Sequence, residues 1–189
     1  QLGVHIAIHV GPEFQIVGGE PARLEGILGE LKSRGVWTQI LPYPAIHTPN
    51  LTPLRPAMEP HLKSLPLASP EIQVYSGMTC EVYPREVPAI REIMIANIDH
   101  PVLLWQTTRK MYEDGVRIMV QAGGGATMYS QAKTNIGEND LTSLSLDVDY
   151  RSALSQLHHL CAGLLQQGVD VEIQPLYEHR FVNTKPLES

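Results

Sequence analysis

The chain has 189 residues, 43% of them apolar, enough for one domain or two small ones with a proper core. Its 20 acidic residues outnumber 14 basic ones, for a formal charge of -6, and no Lys/Arg cluster could follow a phosphate backbone, which argues against nucleic acid as a partner. No apolar run approaches the roughly 20 residues of a spanning helix and no charged-then-apolar leader opens the sequence, so no membrane association and a cytoplasmic location are expected.

The segment V-H-I-A-I-H-V (residues 4–10) alternates apolar with small or polar side chains and stops at Gly11 and Pro12, the pattern of a strand running into a turn. Residues 14–17 read as a second strand, closed by Gly18 and Gly19. Leu24, Ile27, Leu28 and Leu31 then recur at helical spacing, with Pro21 suited to the first turn and Gly35 to the carboxyl cap. Residues 36–41 resume strand-like character. A proline-dense stretch follows, holding one predicted helix near residues 56–65 with Met58, Leu62 and Leu65 directed inward.

Residues 72–75 are predicted as a short strand, residues 87–98 as a helix broken by Pro101, and residues 102–113 as a further helix capped by Gly115. A buried strand at 117–120 leads directly into Gly123, Gly124 and Gly125. Beyond them residues 141–146 read as a strand, 152–167 as a long helix and 169–173 as a last strand, with a linker-like tail from Pro175.

Alternating strands and helices give an α/β class. The order strand, strand, helix, strand over residues 4–41 supplies the last four elements of a ferredoxin-like β-α-β-β-α-β unit. Its absent first strand is normally interior. Leaving interior backbone groups unpaired costs about 1–3 kcal/mol for each buried one, so something is expected to precede residue 1.

Cys80 and Cys161 lack metal-type spacing and read as free thiols. His158 and His159 are adjacent on a helix and point about 100° apart, so they share no face for a metal. His5 and His9 lie on one side of a strand with no carboxylate or cysteine partner, and read as structural. The triple glycine lacks the lysine and spacing of a P-loop and reads as tight backbone packing. No G-x-S-x-G elbow occurs: Ser76 sits in Y-S-G-M, and Ser143 and Ser145 in a strand-like stretch.

The succession V-H-I-A-I-H-V-G-P-E-F-Q-I-V-G-G, a helix, P-A-I-H-T-P, P-V-L-L-W, E-D-G-V and V-Q-A-G-G-G resembles the later part of malonyl-CoA:acyl-carrier-protein transacylases and of the acyltransferase domains of type I polyketide synthases. The segments L-S-L-D, R-S-A-L-S-Q-L-H-H-L and L-Y-E-H-R look more like iterative synthases of the polyunsaturated-fatty-acid, enediyne and glycolipid kind. The resemblance implies an incomplete ferredoxin-like subdomain (residues 1–46), a return to an α/β-hydrolase-like acyltransferase subdomain (47–140), and a closing strand-helix-strand with a post-acyltransferase linker (141–189).

It also implies ping-pong acyl transfer. A serine attacks a coenzyme A thioester and the acyl group passes to the phosphopantetheine thiol of an acyl carrier protein; no metal or resident cofactor is expected. Serine is a poor nucleophile without a base, and His47 stands where the family places that base. Family members orient it with a main-chain carbonyl, expected here from H-P-V-L-L-W (residues 100–105), within which Leu103 replaces the Gln or Arg of many relatives. Ala45 and Ile46 fall in the stretch that correlates with extender choice. The bulk of Ile46 favours malonyl, although one methylene discriminates by only about 1–3 kcal/mol.

His9 stands where relatives often have Asn, and the triple glycine where they have a G-P-G turn. The serine, the oxyanion donor and the arginine that pairs with the malonyl carboxylate belong to an amino-terminal half outside this sequence. That half, a carrier protein and a neighbouring ketosynthase are the expected partners, and the chain alone is expected to be inactive. Two other readings remain open: a non-catalytic linker module of a megasynthase, and a free-standing ferredoxin-like ligand-binding domain.

Overall fold

A computed structural model describes residues 3–125, 127–137 and 140–178. It divides into two compact units, residues 1–117 with 131–141, and residues 118–130 with 142–189.

In the first unit, β1 (Val4–His9) and β2 (Gln15–Gly19) form an antiparallel pair in which Val4 faces Gly19 and His9 faces Gln15, with a bulge between Ile6 and Ile8. The other edge of β1 is also occupied. His9 N donates to Val102 O at 2.8 Å and Val102 N to Ala7 O at 2.9 Å, a parallel bridge that lays residues 101–103 beside the strand. Ala7 and Val10 are buried there, as are Ile90, Ile95 and Ile98.

Helix α1 (Pro21–Ser33) follows β2. Leu24, Ile27, Leu28 and Leu31 are half-buried and no residue of the helix is fully buried, so the predicted apolar stripe is present and only partly covered. A 3-10 helix at Pro49–Leu54 runs into α2 (Arg55–Ser64). Then come α3 (Val87–Ala96) and α4 (Leu104–Glu113), whose bounds match the periodicity closely. Tyr75 pairs with Val82 in an isolated bridge in place of the predicted strand at 72–75.

In the second unit, β3 (Ile118–Gln121) and β4 (Thr142–Ser145) are parallel, with Ile118 opposite Thr142 and Gln121 opposite Ser145. Helix α5 (Thr127–Ile136) lies between them in sequence, with its residues from Gln131 onward counted in the first unit. Helix α6 (Ala153–Gln166) begins at Ser152, whose Oγ accepts from Ser155 N. It packs closely on β4: a Cβ added to Gly163 would stand 2.8 Å from Leu144 Cδ2. Gln156 Nε2 donates to Ser145 O at 2.6 Å and fastens the same two elements.

Several expectations need correction. Residues 36–41 form no strand: among the described residues none pairs with them, and strand preference without a partner makes no ladder. Trp37 and Ile40 are accordingly 73% and 71% exposed. Residues 169–173 likewise have no strand partner. In α2, Met58 is exposed and Leu62 half-buried, and Leu65, just past the helix, is exposed as well, because the helix rests on α3 and the 3-10 helix along a narrow contact. The tail expected to act as a linker lies from residue 179 onward outside the described residues.

The triple glycine serves conformation, not packing. Gly123, Gly124 and Gly125 have φ of 146°, 71° and 83°, and an added Cβ on any of them would meet nothing within 4 Å. Their backbone direction is what side chains disfavour. Gln121 Nε2 holds the turn through Gly123 O at 2.9 Å, and Ser145 Oγ through Gly125 O at 3.1 Å.

Candidate active site

His47 sits on the loop that joins α1 to the 3-10 helix, and its neighbours fix it tightly. Ile46 N bonds Pro44 O at 2.8 Å, a turn across a single residue. Thr48 is 0% exposed, and its Oγ1 donates to Ala45 O at 2.7 Å. Thr48 O in turn accepts from Leu51 N and starts the 3-10 helix. Between these ties His47 adopts φ of 57°, a left-handed conformation that costs a non-glycine residue about 1 kcal/mol or more. Such strain persists where the surroundings over-determine it.

The loop lies directly on β2. A Cβ built on Gly18 would stand 2.7 Å from Ala45 Cβ and 3.1 Å from Thr48 Cγ2, so glycine is what lets the loop approach. Ala45 is half-buried in this contact and Ile46 is exposed.

The imidazole is half-buried, and its Nδ1 lies 2.8 Å from Asn97 O. A carbonyl only accepts, so Nδ1 donates, and in the neutral ring the lone pair is then on Nε2. Asn97 is the carboxyl cap of α3, where the last carbonyls of a helix lack intrahelical donors and the helix dipole is negative. The imidazole therefore occupies a natural vacancy in the backbone hydrogen-bond pattern. The orienting carbonyl thus comes from Asn97, upstream of the residues 100–105 where it was expected.

Leu103, also in that segment, is the amino cap of α4. Its N donates to Gly77 O at 2.6 Å, and its carbonyl accepts from Thr107 N and Thr107 Oγ1. The first of these bonds ties Gly77 to the start of α4, and the other two lie within the helix.

Asp99 is buried just beyond Asn97. Its Oδ2 accepts from Thr52 Oγ1 at 2.9 Å, and Oδ1 lies 2.9 Å from His100 Nδ1 and 3.6 Å from Arg55 Nη1. Burial alone would push this carboxyl up; hydrogen bonds from Thr52 and His100, with the Arg55 charge, more than offset it and hold the group below its usual value. A depressed folded-state pKa contributes stability above the unfolded value of about 3.9 and loses it as pH falls through the lower folded value. An Asp99→Asn variant is therefore expected to lose less stability than the parent on acidification below about pH 4, as read by urea unfolding across that range.

The serines have structural roles. Ser76 is 1% exposed, and its Oγ accepts from Met78 N and Thr79 N, both at 3.2 Å, forming a local hydroxyl-capped turn. Ser145 Oγ donates to Asp147 O at 2.7 Å, and Ser143 is buried in β4. Ser76→Ala is expected to lower stability by about 1–2 kcal/mol in denaturant unfolding.

His9 meets Trp105 edge-on, with ring centroids 5.4 Å apart, and its Nδ1 lies 2.6 Å from Gln106 Nε2. His158 stacks on Tyr177. Among the described residues, no three or more His, Cys, Asp or Glu side chains are grouped to hold a metal ion, and no helix is long and apolar enough to cross a membrane.

No protein-family model and no curated protein matches the sequence. The structure does find matches. The acyltransferase domain from the second module of the salinomycin polyketide synthase superposes with a TM-score of 0.82 at 23% identity, covering 95% of this chain and 42% of that one. The chain has the acyltransferase fold. The acyltransferase domain of an iterative polyketide synthase of enediyne biosynthesis matches at 0.75 and 22% identity, over 95% of this chain and 46% of that one. A malonyl-transacylase solved with its type II polyketide acyl carrier protein matches at 0.72 and 19%, over 84% and 50%.

The chain therefore spans about half the length of the acyltransferases it matches. Within the acyltransferase fold the sequence pointed to His47, Ala45, Ile46 and Leu103. It missed Asn97, Asp99, Thr52, Arg55 and the spacer role of Gly18. A polar I-A-N-I-D-H run at the close of an apolar helix was the available signal for Asn97 and Asp99; nothing local tied it to His47, fifty positions away.

Proposed function

We propose that residues 1–189 form the base-bearing half of an acyltransferase that moves a malonyl group from coenzyme A to an acyl carrier protein, His47 pairing with a serine outside this sequence. The observation that carries this reading is the bond from His47 Nδ1 to Asn97 O, which leaves Nε2 as the basic nitrogen. In the first half-reaction Nε2 takes the serine hydroxyl proton as Oγ bonds the thioester carbonyl carbon. Collapse breaks the carbon–sulfur bond, and the imidazolium returns the proton to the departing coenzyme A thiolate. The second half-reaction runs the same steps with the phosphopantetheine thiol as nucleophile and the serine as leaving group.

The carrier protein is proposed as partner because a matched transacylase was solved with one. The completing half has a surface to cover: Val36, Trp37, Ile40, Leu41, Tyr43 and Ile46 are exposed in one stretch that ends at the base. On this reading that stretch and the half-covered face of α1 pack against the missing half, and residues 1–189 alone form no acyl-enzyme. Ile46 at this edge would narrow the acyl pocket toward malonyl.

The test is acylation of the full-length polypeptide with labelled malonyl-CoA, followed by peptide mass spectrometry. An acyl-serine outside residues 1–189, dependent on His47, is expected. Absence of any acyl-serine would point to the non-catalytic linker module instead.

A further inference from the structure

We propose that Asp99 is the positioning residue that holds the His47 loop in register with the end of α3, an inference that rests on His47 being the base.

Two segments meet here: α2 packs on α3, where Arg91 donates to Leu62 O and Leu65 O, and beside His47 the segments are joined at two further places. The first is His47 Nδ1 on Asn97 O. The second is the Asp99 carboxylate, with Thr52 Oγ1 at 2.9 Å on Oδ2 and Arg55 Nη1 at 3.6 Å from Oδ1. Thr52 lies in the 3-10 helix and Arg55 opens α2, both reached from His47 through buried Thr48 and the bond from Leu51 N to Thr48 O. On the other side, Asn97 N bonds Ile93 O and Asp99 N bonds Ala96 O, so both contact points grow from the same final turn of α3. His100 Nδ1 bridges Ala96 O and Asp99 Oδ1, tying the carboxylate back to that turn.

At the end that carries His47, one bond would leave the loop free to turn about it; a second contact close by removes that freedom. An apolar patch at the second point would supply burial more cheaply than a desolvated carboxylate does, because a buried charge needs partners to offset its lost hydration. What a carboxylate adds is direction. The His100 bond orients the carboxylate and the Thr52 bond then sets the loop to within hydrogen-bond tolerance, which is what a base needs to face a nucleophile on another segment.

The experiment uses the full-length polypeptide with selectively ¹⁵N-labelled histidine and two variants, Asp99→Ala and Thr52→Val. In the parent, His47 should show a protonated Nδ1 and an unprotonated Nε2. Asp99→Ala is expected to convert this signature toward a tautomer mixture, and to lower the rate of malonyl transfer to serine roughly 10- to 100-fold with KM changed less than about twofold. Asp99→Asn, which keeps an acceptor for Thr52, should recover part of the rate. A folded Asp99→Ala protein with the parent His47 signature and the parent rate overturns the inference.

If Asp99→Ala does not fold, Thr52→Val decides, since it removes one hydroxyl at nearly constant volume: a shift of the signature in the same direction supports positioning, and none overturns it. Failure of the acyltransferase reading shows separately, as absence of acyl-serine in the parent, while the histidine signature still reports on Asp99.

Discussion

Replacing His47 with alanine is expected to slow acyl transfer by the full-length polypeptide about 10²–10⁴-fold, the range that a positioned general base contributes. The loss should fall on the rate of serine acylation, with KM for malonyl-CoA little changed, because on the proposed mechanism the imidazole moves a proton and the thioester is held elsewhere. The fold should survive: the side chain is half-buried, and its bond to Asn97 O is worth about 1 kcal/mol. His47→Gln separates the two duties of the ring. An amide can donate to Asn97 O but has no basic nitrogen, so this variant should be as slow as alanine while better preserving stability. Single-turnover acylation with labelled malonyl-CoA, quenched and read by mass spectrometry, measures both. Full-rate acylation by the alanine form would place the base elsewhere.

The helices were legible because their signal is local. Ile90, Ile93 and Met94 recur at helical spacing, Pro21 and Gly35 mark the bounds of α1, and the chain needs no distant partner to declare these periods. Residues 36–41 show the opposite case. V-W-T-Q-I-L has every strand preference, yet a strand is defined by its neighbour, and none is offered among the described residues. Helix α5 escaped notice because T-M-Y-S-Q-A-K-T-N-I carries no continuous apolar stripe. The site divides in the same way. The order of motifs singles out His47 as a candidate, while the carbonyl it meets and the Asp99 contacts join positions about fifty residues apart and exist only in three dimensions. The glycines were half legible: a requirement for glycine at 123–125 was evident, but whether it answered crowding or backbone direction depended on the surrounding space.

Gly18→Ala tests how little slack the site has. Gly18 lies in β2 opposite His5, and the added methyl would stand 2.7 Å from Ala45 Cβ and 3.2 Å from Ala45 Cα, where carbon atoms prefer about 3.5–4.0 Å. A side chain that meets backbone cannot escape by changing rotamer. The loop has little room to retreat, since Thr48 is fully buried and bonded to Ala45 O. Relief requires a movement of about 1 Å between β2 and the segment that carries His47. Overpacking of this kind costs about 1–3 kcal/mol of stability, and a displacement of that size at a catalytic group costs about 10²-fold in rate. Thermal unfolding and single-turnover acylation should therefore both fall. A second change, Ala45→Gly, removes the atom that is struck and should restore part of each, so the pair is expected to be strongly non-additive. If Gly18→Ala keeps the parent rate while its stability drops, the loop shifts without carrying His47 with it, and the close approach to β2 serves stability alone.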